Sequence, residues 1–339
     1  MIEIDGSHGE GGGQILRTAL ALSCLLKLPV RIYNIRKNRS KPGLMPQHLT
    51  GVRAASEITS ARLSGDSIGS QELVFEPGPT RFGQYFFDIG TAGSTSLLFQ
   101  TILLPLALSG GASDVGIKGG THVPWSPPFD YIRDVFLPFM GFLGVNAEAR
   151  IESCGFYPKG GGTVFFDIRP ADCIAAGDFT ERGRLVEMKG VSAVANLPMG
   201  IARRQRDAAV AALGSLEADI KMTEVESPGQ GTFVFLLARY EHSLAGFSAL
   251  GEKGKRAETV GEEAAAQFLK HHQAEAALDP HMADQIVLYL ALSRQPCEFA
   301  TSEITEHLLT NLWVLKHFLP VDYAIKGEKG SPGMVSIGR

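Results

Sequence analysis

Three stretches of this chain are apolar almost all the way round: ILRTALALSCLL, SLLFQTILLPLAL and IVLYLAL. A helix at a surface keeps a polar stripe, so segments without one predict helices buried on every side. Each opens a run of elements in the same order: helix, strand, helix, strand, strand. In the first run, helix Ile15 to Leu26 leads to strand Val30 to Ile35, amphipathic helix Pro46 to Leu63, and strands Glu72 to Phe75 and Tyr85 to Ile89. The second has helix Ser94 to Ala107, strand Asp114 to Lys118, helix Phe129 to Phe142, and strands Ala147 to Ser153 and Thr163 to Ile168. The third has helix His281 to Leu292, strand Cys297 to Thr301, helix Glu306 to Leu319, and strands Tyr323 to Lys326 and Gly333 to Ile337. Alternation at period two marks the paired strands, and Gly and Pro punctuate the joins.

Three copies of one unit predict an α/β fold of α+β repeats, arranged pseudo-threefold with helices inward and sheets outward. Residues 187–278 break the rhythm. They hold a basic helix start (Arg203, Arg204, Arg206), strands Ile220 to Val225 and Thr232 to Ala238, and a charged helix Arg256 to Gln273. A segment of that length with periodic elements predicts a smaller inserted α/β domain with its own core. The large domain then comprises 1–186, with units one and two, and 279–339, with unit three. The arginine cluster reads as a solvated helix face.

Composition narrows the class. The chain has 339 residues, 44% hydrophobic and 20% charged, which suits about two globular domains with a sizeable core. Met1 to Asp5 lacks the basic start and apolar run of a signal peptide. Leu97 to Leu108 is too short, and too interrupted by Gln100, Thr101 and Pro105, to span a bilayer. Cys24, Cys154, Cys173 and Cys297 form no CxxC pair, which predicts reduced packing thiols in a cytoplasmic protein. The oligomeric state is left open, a homo-oligomer included.

Charge is uneven. Net charge is −4, yet eight Lys and Arg residues (Arg17, Lys27, Arg31, Arg36, Lys37, Arg39, Lys41, Arg53) lie between Gly11 and Ser56 without one Asp or Glu. Such a local field concentrates polyanions and holds phosphates. Glu10 stands at its edge, in GEGGGQILR, among glycines that let backbone N–H groups approach a ligand. A carboxylate, bare amides and arginines suggest a phosphate site with a divalent metal. A glycine-rich turn before a solvated basic face would use the same residues.

Among nine histidines, His242, His271, His272 and His317 fit surface or helix-end positions. His307 differs. Thr305 is the expected N-cap in SEITEHLLTN, which places His307 in the first turn of a helix with Asn311 on the same face. Helix donors there favour an anion and tend to keep the imidazole neutral, as a nucleophile toward phosphorus requires. Pseudosymmetry would bring Glu10 to Arg17, Gly93 to Gln100, and Asp284 with Gln285 to one place. No Walker or GxGxxG motif is present.

Six motifs in order resemble one family, the RNA 3′-terminal phosphate cyclases. They are D-G-x-x-G-E-G-G-G-Q-I-L-R (Asp5 to Arg17), R-x-x-R-x-K-P-G-L-x-x-Q-H-L (Arg36 to Leu49), GTAGS (Gly90 to Ser94), FYPKGGG (Phe156 to Gly162), ADQ (Ala283 to Gln285) and EHLLTN (Glu306 to Asn311). The resemblance runs from residue 2 to about 338 and is weakest in the insert. It implies a ligase-class, nucleotidyl-transferring enzyme of RNA processing. That enzyme converts an RNA 3′-phosphate to a 2′,3′-cyclic phosphate with ATP, through enzyme–AMP and RNA-3′-phosphate–adenylate intermediates.

Carried over by position, the resemblance makes His307 the nucleophile and Glu10 the ligand of Mg²⁺ or Mn²⁺. Arg17, Arg36, Arg39 and Gln47 match phosphate-binding residues. Gln100, His281, Met282, Ala283, Asp284 and Gln285 match ATP-binding positions, with Pro127 a wall for the adenine. His281 stands where the family has a tyrosine. The rival readings are a non-catalytic relative that assists ribosomal RNA processing and lacks the histidine, an enolpyruvyl transferase of similar architecture, and a plain RNA-binding module. The intact EHLLTN context of His307 favours the cyclase.

Overall fold

A computed structural model describes residues 1–338. Over the described residues the chain is a mixed α/β protein with four small sheets, each of four strands. In order, its elements begin with β1 (Ile2–Asp5), α1 (Gly13–Leu26), β2 (Val30–Tyr33), α2 (Pro46–Thr59), β3 (Arg62–Ser64) and β4 (Leu73–Glu76). Next come β5 (Gln84–Asp88), α3 (Thr95–Ala107), β6 (Ser113–Gly119), α4 (Phe129–Tyr131) running through a π turn (Ile132–Phe136) into α5 (Leu137–Phe142), β7 (Ala147–Ser153) and β8 (Gly162–Ile168). Then follow β9 (Asp178–Phe179), β10 (Leu185–Ala195), α6 (Met199–Leu213), β11 (Asp219–Glu224), β12 (Gly231–Tyr240), β13 (Leu244–Leu250) and α7 (Ala257–Ala274). The chain closes with α8 (Pro280–Leu290), β14 (Cys297–Thr301), α9 (Glu306–Phe318), β15 (Asp322–Lys326) and β16 (Gly333–Gly338).

Three of the sheets share one topology. Their orders are β1-β2-β4-β3, β5-β6-β8-β7 and β9-β14-β16-β15, each with its first pair parallel and the other two pairs antiparallel. The parallel pair needs a crossover: α1 and α3 supply the first two, and the third runs from β9 through the whole fourth-sheet segment before α8 leads into β14. The fourth sheet, β11-β10-β12-β13, is different.

Three sequence expectations change here. Tyr85 to Ile89 does not close the first run: as β5 it pairs in parallel with β6 and opens the second sheet. The hairpin partner of β4 is β3, inside the stretch expected to continue the second helix. Ser60 takes a left-handed conformation (φ 50°) and stops α2, which frees Arg62–Ser64 to pair. The helix expected over Phe129 to Phe142 also widens by a π turn, because Pro138 has no N–H for the carbonyl one turn back.

The apolar helices behave as their composition requires. α1 packs against α2, α3 and α9, and α8 packs against α9. Every side chain from Leu98 to Ala107 in α3 is buried except that of Gln100. A second cluster joins α6 and α7 to one face of the fourth sheet through Leu213, Leu236, Phe247, Val260 and Phe268. Phe233 and Phe235 of β12 join the main core instead. Arg204 pairs with Glu258 and Arg206 with Asp207, so two of the three arginines in this cluster are held in ion pairs at the surface. His271, expected on a polar face, is buried and meets Ser302 Oγ at 3.0 Å.

Where β12 meets the main body, His122 Nε2 lies 2.8 Å from Asp130 Oδ2, and its ring stacks on Phe233 at 4.1 Å. Burial pulls the His122 pKa down, but Asp130 and Cys154 outweigh it and raise the value to about 9. The folded value exceeds the unfolded one. The stabilisation is therefore complete below about pH 6.5 and disappears as pH rises through about 9. Unfolding free energies from denaturant titrations should fall between pH 6 and pH 9.5 by on the order of 1–3 kcal/mol more in wild type than in His122→Gln. Equal alkaline loss in both proteins would count against the pair.

Candidate active site at the converging helix starts

The glycine-rich loop before α1 lies along α9, residue against residue. Glu10 meets His307, Gly9 faces Glu306 and Thr310, and His8 stacks on Trp313. Gly9 has φ +54°, and a Cβ there would sit 2.6 Å from Thr310 Oγ1, so only glycine lets the loop approach this closely. A Cβ at Gly13 would likewise fall 2.5 Å from His48 Nε2. Gly12 opens α1 without a side-chain cap, which leaves the leading amides without that partner.

Thr305 caps α9: its hydroxyl accepts the Leu308 N–H at 3.0 Å and donates to the Asp284 carboxylate. His307 therefore sits in the first turn, as its sequence context predicts. Its Nδ1 lies 2.8 Å from Glu10 Oε2, though the two are not aligned as a hydrogen bond and neither has another partner. The other Glu10 oxygen takes a charge-assisted contact from Arg39. Contact with His307, and then Arg39, outweighs burial and draws the Glu10 pKa down to about 2. Glu10 raises the His307 pKa in return, against burial and with help from Asp284. Against the expectation that the helix start keeps this ring neutral, the ionised carboxylate in contact with it pulls the other way. In the neutral form of the ring, a proton on Nδ1, the nitrogen facing Glu10, leaves the Nε2 lone pair available.

The frame is long-range. Asn311 Oδ1 accepts from Gln14 Nε2 at 2.9 Å and Thr18 Oγ1 at 2.7 Å, while its amide donates to the Asp284 carbonyl at 2.5 Å. One buried carboxamide thereby clamps α1, α8 and α9 together. Arg17 donates to Gln14 and lies near Glu10; burial lowers its pKa to about 10, which leaves it charged at neutral pH. Burial also raises Asp284 to about 6. His48 Nδ1 accepts the Met45 N–H at 3.2 Å, and burial, with Arg17 and Arg36 nearby, lowers its pKa to about 3. His48 is thus a neutral Nε2–H donor.

Other expected residues have specific places. Gln100 bonds Gln285 across α3 and α8, and Gln285 donates to the His281 carbonyl at 2.5 Å. Gln47 Oε1 accepts the Ser94 N–H at 2.9 Å and ties α2 to the start of α3. Arg36 braces its own loop by donating to the Lys41 and Gly43 carbonyls at 2.6 and 3.1 Å. Met282 and Ala283 are fully buried, so only their backbones could meet a nucleotide. His281 is exposed and lies edge-on to Tyr131 at 6.1 Å; the Tyr131 hydroxyl donates to Asp279, the α8 cap. Pro127, half-buried, lies just before α4, which carries Tyr131.

The basic run divides. Arg31 pairs with Glu3 and Glu72, outside the acid-free stretch, and Lys27 ends α1 in a left-handed conformation. Arg17 and Arg39 border Glu10. Sequence reasoning missed Gln14, Thr18 and His48, although Thr18 is a lone hydroxyl in an apolar helix. It also missed the stacking of His8 on Trp313, which no spacing rule signals.

Residues 8–325 match the family described as RNA 3′-terminal phosphate cyclase. Curated relatives named RNA 3′-terminal phosphate cyclase cover almost the whole chain. One from Methylococcus capsulatus is 47% identical over 99% of this chain and 96% of its own length. One from Archaeoglobus fulgidus is 45% identical over 97% and 99%. One from Nostoc punctiforme is 42% identical over 94% of each. Among solved structures, the enolpyruvyl transferase NikO from Streptomyces tendae is similar over 49% of this chain and 33% of its own. Its 17% identity and TM-score of 0.28 are too low to bear on function.

Proposed function

The chain belongs to the RNA 3′-terminal phosphate cyclase family of enzymes, and from that premise we propose that it cyclises RNA 3′-phosphates with ATP through a histidine-bound AMP. The observation that carries the mechanism is the 2.8 Å approach of Glu10 Oε2 to His307 Nδ1, which favours a proton on that nitrogen and leaves Nε2 of the neutral ring for phosphorus. In the first step Nε2 attacks the α-phosphorus of ATP, a P–N bond forms, and pyrophosphate leaves. A terminal 3′-phosphate oxygen then attacks the same phosphorus, breaking the P–N bond and giving a mixed anhydride. The 2′-hydroxyl finally attacks the 3′-phosphorus, loses its proton and expels AMP. That closure is intramolecular, so proximity supplies much of its rate.

Arg17, the free amides of α1 and the neutral His48 N–H offer donors for the phosphates. Gln100, Gln285 and the α8 start, with Pro127 and His281, form our candidate nucleoside side. Among the described residues no three His, Cys, Asp or Glu gather as a metal cage. Glu10 alone still fits Mg²⁺ or Mn²⁺: among the described residues its Oε2 is a buried carboxylate oxygen with no aligned hydrogen bond, which the ion would share with His307 Nδ1, and such ions combine one carboxylate with substrate phosphates. A metal there would neutralise phosphate charge.

We treat 1–186 and 279–339 as one large domain, with three units about a pseudo-threefold axis and 187–278 inserted as a smaller domain. The common strand order of three sheets supports that arrangement. Among the described residues no helix is long and apolar enough to cross a membrane. All four cysteines are free, which suits the cytoplasmic setting we propose.

Arg39 tests the RNA side. Its fork can bind a terminal phosphate dianion bidentately, while an internal phosphate carries one charge. Arg39→Ala should weaken binding of a 3′-phosphate oligonucleotide by about tenfold, but that of its 3′-hydroxyl counterpart far less. Equal losses in a binding titration would make Arg39 a general backbone contact. For the function itself, cyclic ends should form on 3′-phosphate RNA only with ATP and a divalent ion.

A further inference from the structure

We propose that the His8–Trp313 stack is a platform for a base near the 3′ end of the RNA, a role that rests on the function proposed above. The two rings lie 3.9 Å apart at 11°, and Trp313 also meets His317 edge-on at 4.4 Å. His317 Nδ1 sits 2.9 Å from the Trp313 carbonyl, which keeps the neighbouring ring in place. His8 is exposed, and among the described residues Trp313 is its one aromatic partner. Location completes the argument. Trp313 is six residues, about 9 Å, along α9 from His307, and the loop from Glu10 back to His8 tracks the same line. Exposed Lys37 and Lys41 lie in the loop that holds Arg39 against Glu10, where they can follow a phosphate backbone. Trp313, partly buried against the main core, holds His8 from beneath, and an exposed aromatic ring with cations on a neighbouring loop is how single strands are held without sequence preference. A simple latch for the glycine-rich loop would bury His8 as well.

The experiment uses wild type, His8→Ala and His8→Phe with two oligoribonucleotides ending in a 3′-phosphate. One carries normal bases and the other abasic sugars at its last positions. Base–aromatic stacking predicts that His8→Ala raises the KM for normal RNA about fivefold or more, with kcat little changed, and that His8→Phe recovers it. Abasic RNA should bind wild type as poorly as normal RNA binds His8→Ala, with no further loss in the variant. Equal losses on both RNAs would overturn the platform. So would an unchanged KM with slower AMP attachment in the absence of RNA, which is the signature of a latch. Anisotropy of labelled oligonucleotides reads the same contrast without turnover. A wild type that binds RNA through His8 but forms no cyclic ends would therefore overturn the function and leave the platform standing.

Discussion

His307→Asn should lose covalent AMP attachment and cyclisation together, by at least about a thousandfold, while ATP binding and the unfolding midpoint change little. Asparagine keeps a polar group at the helix start but cannot form a stable P–N bond. The fold does not lean on this ring: the imidazole is half-exposed, and Thr305 and Asn311 make the bonds that hold α9 to α8 and α1. RNA already carrying a 3′-phosphate–adenylate should still be cyclised by the variant, because the closing attack uses the 2′-hydroxyl. Failure there would mean that His307 also moves a proton in the last step. His317→Asn should keep normal AMP attachment, since that residue lies at the far end of α9.

Glu10→Ala should be the second largest loss, about a hundredfold or more in AMP attachment, with a much smaller change in stability. Three effects act together. The carboxylate beside Nδ1 disappears, Arg39 loses its partner, and the candidate metal ligand is gone. Glu10→Gln separates them, because the amide keeps size and polarity but not charge. If Glu10→Gln reacts at the wild-type rate across a range of Mg²⁺ concentrations, Glu10 is neither a metal ligand nor the electrostatic support of His307. Thermal melts of both variants check that the fold persists.

Much of this was legible in the residues, for physical reasons. Helices without a polar stripe can only be buried, so α1, α3 and α8 follow directly from composition. The Thr305 cap follows from local chemistry, since a hydroxyl must meet the first amides of α9. Pairing was harder. β1 and β9 are too short to show a period, and β5 looks like the end of one unit until its hydrogen bonds place it beside β6. The site shows the same division. Glycine, carboxylate and histidine announce chemistry individually, but contacts between residues nearly three hundred positions apart do not. That Asn311 bridges Gln14, Thr18 and Asp284 is a property of packing. Ionisation follows contacts too, so His307 gains basicity from a loop at the other end of the chain.

The most direct measurement is incubation of the wild-type protein with α-labelled ATP and Mg²⁺, followed by denaturing electrophoresis and peptide mapping. Label should remain on the protein, survive alkali, be lost in acid, and map to the peptide containing His307. Absence of label, or label on another residue, would contradict His307 as the nucleophile.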